Sequence, residues 1–120
     1  MSIVNVHLGQ LHALVGVDTE CHAVASPVAA PAVVQGSKLF PFLHASTVIA
    51  VRGDAHVLAH VVSRLHCGIE TLTVDRTIEV LPSLAQEAAP KVATELTVVG
   101  WSPVQRRMVG AQWCGGPAAR

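Results

Sequence analysis

The 120-residue chain is sized for one domain, and a chain of that length buries roughly two-thirds of its surface on folding, so a packed core needs no disulfide or metal staple. Eight basic residues balance eight acidic ones, and no basic cluster exceeds the pair Arg106 and Arg107, which argues against nucleic acid and against a polybasic membrane patch. Apolar residues make up 51% of the chain but only Phe40, Phe42, Trp101 and Trp113 are aromatic, so Val, Leu, Ile and Ala must build the core, a mixture that favours a β-rich or α/β domain.

Residues 2–7 are rich in β-branched residues and alternate, Gly9 and Gln10 can turn, and residues 11–17 form a second apolar run ending at Asp18; together they predict a β-hairpin. Residues 19–36 mix Pro27, Pro31 and Gly36 with Ala and Val, which predicts an irregular extended connection with one strand near 32–35. The most apolar stretch, 24–34, is broken by Ser26, Pro27 and Pro31, and the N-terminus has no basic segment followed by an apolar run. Neither a targeting nor a transmembrane segment is expected, and the expected location is the cytoplasm or a particle assembled there.

Residues 38–43, interrupted by Pro41, and residues 46–51 predict a pair of short strands around His44 and Ala45. After Gly53, Asp54 is placed to cap a helix whose Val57, Leu58, Val61, Val62 and Leu65 form a core-facing stripe, with Gly68 as its stop. A second helix is expected within 77–89, with Pro82 either kinking it or sitting in its first turn and Pro90 closing it. Residues 95–101 and 107–113 predict a final hairpin turning at Ser102 and Pro103, followed by an irregular tail, 114–120. Cys21, Cys67 and Cys114 are odd in number and widely spaced, which speaks against a disulfide framework or a structural zinc site.

This order, and several local words, resemble the N-terminal half of proteasome β-type subunits of the N-terminal-nucleophile (Ntn) family. Ser2-Ile3-Val4 resembles the family's opening strand, and Val15-Gly16-Val17-Asp18-Thr19 the end of its second strand. Ser37-Lys38-Leu39-Phe40-Pro41 is similar to its lysine-bearing strand, Val51-Arg52-Gly53-Asp54-Ala55 to the glycine turn before its first helix, and Val98-Val99-Gly100-Trp101 to the strand after its second helix. The resemblance spans 2–113 and implies an α+β fold: a truncated Ntn-type domain of antiparallel sheets with two helices on one face. Family members continue further, so the resemblance also implies uncovered sheet that recruits neighbours.

The resemblance further implies a catalytic set of Ser2, Asp18 and Lys38, available only if Met1 is removed. In that chemistry the α-amine of residue 2 takes the proton of its own hydroxyl, a lysine tunes the amine and an aspartate orients the group. No cofactor is implied. Taken one at a time, Ser2 also reads as a small polar residue at a strand start, Asp18 as a turn former and Lys38 as a solvated edge charge. His56 and His60, at i and i+4, present two metal-ligand types without a third, and read first as surface or interface histidines. Cys21 beside His22 reads as a buried thiol, and Trp101 and Trp113 as packing or interface anchors.

The expected function is a non-catalytic structural subunit of a homo-oligomer or larger assembly, with a phage or phage-like particle as one home. The alternative is a small N-terminal-serine amidohydrolase or peptidase that completes its cleft from a neighbour. A small-ligand or metal-binding module using the histidines is the third reading.

Overall fold

A computed structural model of the chain describes residues 4–17, 20–22, 33–35, 38–68 and 72–117. The fold is α+β. Its centre is a four-stranded antiparallel sheet of β5 (Leu39–Phe42), β6 (Thr47–Arg52), β7 (Thr94–Ser102) and β8 (Arg107–Gly115), in that spatial order. A separate antiparallel hairpin joins β1 (Val4–Leu8) to β2 (Ala13–Val17), and a third small sheet pairs β3 (Glu20–His22) with β4 (Val33–Gln35). A single turn of 3-10 helix, Leu43–Ala45, connects β5 to β6.

Strand alternation decides the two faces of the central sheet. The register sets Phe40 opposite Ile49, Ile49 opposite Val98 and Val98 opposite Ala111, while Val51, Leu96 and Trp113 line up in the next row. These rows face the helices, and Phe42, Ile49, Val51, Leu96 and Val98 are core residues with almost no exposed surface. Helices α1 (Ala55–His66) and α2 (Val74–Glu87) bury Val57, Leu58, Val61 and Leu65, and Val74, Leu81 and Ala85, against that face. The α1 stripe is the one read from the sequence, apart from Val62, which is half-buried. At its start the Asp54 carboxylate accepts from the His56 N–H at 3.0 Å, the expected cap.

On the sheet's opposite face lies the β1–β2 hairpin. Register pairs Val4 with Val17, Val6 with Val15 and Leu8 with Ala13, so these six side chains share one hairpin face, turned toward the sheet. Leu8 Cδ2 lies over Gly110, 3.8 Å from where a Cβ would stand, and the Met108 N–H donates to the Gln10 carbonyl at 2.8 Å, tying the hairpin turn to β8. The described layers are therefore helices, four-stranded sheet and hairpin.

Four sequence expectations shift. Residues 20–22 lie in the stretch expected to be irregular, yet pair as β3 with β4; a three-residue strand is too short for periodicity to reveal, and its partner lies far along the chain. Helix α2 starts at Val74 instead of Thr77, because the Thr73 hydroxyl caps it by accepting from the Arg76 N–H at 3.1 Å. Pro82 consequently falls inside the helix, outside its first turn, at an exposed position. Finally, β8 continues through Cys114 and Gly115, where the tail was expected to be irregular, because both pair with β7, at Glu95 and Thr94.

Candidate functional site

The open end of the β1–β2 hairpin is the frame on which the expected nucleophile site would rest. Val4 and Val17 form its last described pair. Ser2 and Asp18 themselves lie outside the described residues. The expected convergence of Asp18 and Lys38 on Ser2 therefore lies outside them as well.

Lys38 is described, and it is not the solvated edge charge that a residue-by-residue reading expects. Its carbonyl accepts from the Val51 N–H at 2.8 Å, which carries the β5–β6 pairing one residue beyond Leu39, and only 5% of its surface is exposed. Lysine is almost never buried to this degree unless paired, because removing an ammonium from water is costly.

The two helix histidines separate in environment. His56 is exposed, whereas the His60 Nε2 is shielded from solvent 3.5 Å from Glu87 Oε1. That contact does not meet hydrogen-bond geometry and leaves the His60 Nε2 without a hydrogen-bond partner among the described residues, at the α1–α2 seam. The same Glu87 oxygen lies 3.4 Å from Arg64 Nε, which makes Glu87 the point where α2 meets α1's polar edge. Among the described residues no group of three or more His, Cys, Asp or Glu side chains is placed to hold a metal. Cys21 and His22 sit on β3, paired with Val34 and Val33. Cys67 and Cys114 are free and exposed. Trp113 packs on the helix-side core, whereas Trp101 lies on the other face beside Met108.

Several features were not read from the sequence. Ser102 Oγ donates to the Asp75 carboxylate at 2.8 Å and fastens the first turn of α2 to the end of β7. Arg52 and Glu95 approach to 3.7 Å on the hairpin side of the sheet, and the Cys114 thiol lies 3.9 Å from the other Glu95 oxygen. The larger omission is apolar. Val6, Leu8, Leu11 and Leu14 are all exposed, Leu11 at 74% and Leu14 at 66%, and a groove of about 330 Å³ opens between the hairpin and β7–β8, lined by Val6, Leu8, Thr97, Val99, Gly110 and Gln112. The sequence signal was the largely apolar run Leu11 to Val17, which does not separate covered from uncovered positions until the register is known.

Among the described residues no helix is long and apolar enough to cross a membrane. No family model, no curated protein and no solved structure matches the chain.

Proposed function

We propose that this chain is a non-catalytic structural subunit, built on an Ntn-like layered frame, that assembles with further copies of itself. The observation that carries this reading is the exposed apolar surface of the β1–β2 hairpin: Leu11 and Leu14 point outward, while Val6 and Leu8 flank an open groove against β7 and β8. Scattered exposed leucines are ordinary, but four large exposed apolar residues fall within nine positions, Val6 and Leu8 on the sheet side of the hairpin and Leu11 and Leu14 at its turn and outer side, and such a concentration is of the kind that marks a protein interface. Covering Leu11 or Leu14, the most exposed of them, is worth about 1–2 kcal/mol and covering Val6 or Leu8 less, and a net charge of zero adds little repulsion between copies.

Sedimentation velocity at low micromolar concentration tests the proposal. The expected result is a species larger than a monomer, returned to monomer by the double substitution Leu11→Lys and Leu14→Lys. A folded, non-aggregating monomer of the unaltered chain removes the assembly reading.

A second reading, an N-terminal-serine amidohydrolase or peptidase, rests on the resemblance of Ser2, Asp18 and Lys38 to the family's catalytic set, of which Lys38 is buried in the row that continues through Val51. Intact mass of protein from its native source tests it first, since retained Met1 makes the Ser2 nitrogen an amide that cannot act as a base. If Met1 is absent, the hydrolase reading expects an acylating electrophile to label Ser2, and Lys38→Met to slow that labelling. Labelling equal to that of other serines ends the reading.

A further inference from the structure

We propose that His7 and His12 form a two-histidine site for a divalent zinc ion on the outer face of the β1–β2 hairpin. The hairpin register places both on that face: His7 pairs with Leu14, and the Gly9 N–H donates to the His12 carbonyl at 2.8 Å, so Gly9 and His12 close the turn. His12 is thus the diagonal neighbour of His7, within reach of a long or aromatic side chain across two strands. The imidazole centroids are 6.0 Å apart with their planes inclined by 32°. A zinc ion bound at the usual Zn–N distance sits about 3 Å from each ring centre, which at a tetrahedral angle sets the rings about 5 Å apart. A small rotation of either exposed side chain closes the difference.

Gly9 makes the approach sterically open. A Cβ at that position would lie 3.1 Å from His12 Cε1 and 3.3 Å from Nδ1, so the His12 ring folds over the glycine toward β1, the strand that carries His7. Both rings are exposed, and among the described residues neither has a hydrogen-bond or ion-pair partner to compete for its nitrogens. Imidazole is a preferred zinc ligand, and two from one hairpin form a chelate whose geometry the turn already holds. Among the described residues no third protein ligand stands nearby, and water completes the coordination sphere. The site is distinct from the helix pair His56 and His60, and it does not depend on the assembly reading.

Titration of the full chain with zinc chloride at neutral pH, followed through its histidine ring NMR signals, tests the site. The expected result is that the His7 and His12 signals move together and saturate at one equivalent. His7→Phe and His12→Phe, which keep an aromatic ring at an exposed position but remove the ligand, should each weaken binding at least tenfold, while His56→Ala leaves it unchanged. Gly9→Ala should weaken it by a smaller factor, since it removes no ligand and only obstructs the His12 ring. The proposal is overturned if the two signals do not respond, or if both phenylalanine variants bind zinc within twofold of the unaltered chain.

Discussion

Gly53 and Asp54 show how much a single residue holds at the junction between β6 and α1. Gly53 has φ of +114°, and a Cβ there would lie 2.4 Å from the Ala93 carbonyl oxygen and 2.8 Å from the Thr94 Cα, both backbone atoms with little room to yield. Gly53→Ala therefore meets strain and collision together, and we expect a loss of about 2 kcal/mol or more in urea unfolding. Asp54 joins three segments: one carboxylate oxygen accepts from the His56 N–H, the other from the Lys91 N–H at 3.1 Å, and its own N–H donates to Thr94 Oγ1. Asp54→Ala leaves both N–H groups without that acceptor, and a loss of about 1–2 kcal/mol is expected, whereas Asp54→Asn should retain part of the cap. If Asp54→Ala unfolds at the same urea concentration as the unaltered chain, the clasp between α1 and the start of β7 is not a source of stability.

At the scale of elements, α2 carries a local conflict. Pro82 lies in the interior of the helix, where it donates no N–H and its ring crowds the preceding turn, yet Leu81 and Ala85 on either side of it are fully buried. Tertiary packing of that apolar stripe outweighs the local cost, which is of order 3 kcal/mol against alanine. Pro82 is exposed, so Pro82→Ala restores the donor without disturbing the core. An increase of about 1–3 kcal/mol in unfolding free energy is expected from thermal or urea melts. A decrease would mean that the helix needs the bend to seat Leu81 and Ala85. Proline is handled differently in β5, where Pro41 sits on an edge strand opposite Val48 and interrupts no central ladder.

For the whole molecule, the uneven covering of the central sheet is the organising fact. One face is sealed by two helices, and the other is met by a two-stranded hairpin that leaves a groove beside β7 and β8 and exposes leucines of its own. An isolated two-stranded hairpin is marginally stable in water, so its apolar contact with the sheet has to hold it in place. Leu8→Ser, which removes a side chain reaching Gly110, should speed amide exchange in β1 and β2 while leaving the four-stranded sheet protected. Uniform loss of protection would show that hairpin and sheet unfold as one unit. Assembly adds a further expectation: a stable pair of copies buries about 800 Å² on each partner, and exchange in the hairpin should slow as protein concentration rises.

Local chemistry determined much of the architecture. The 3.6-residue stripe from Val57 to Leu65, the carboxylate that caps it, and the alternation within 2–7 and 95–101 each depend on residues a few positions apart; the stripe is helical, Asp54 caps it, and residues 4–7 and 95–101 are strand. The α+β class follows from them. Three matters needed the folded structure, because local periodicity does not fix which segments pair, in which register, or what covers them. The pairing of β3 with β4 joins strands too short to announce themselves. The burial of Lys38, a residue whose charge predicts solvent, comes from surroundings that no local pattern specifies. The outward turn of Leu14 and the meeting of His7 with His12 follow from hairpin register, where a slip of one residue would send each side chain to the opposite face. Sequence periodicity shows that a strand has two faces, but only the packed molecule decides which of them is covered.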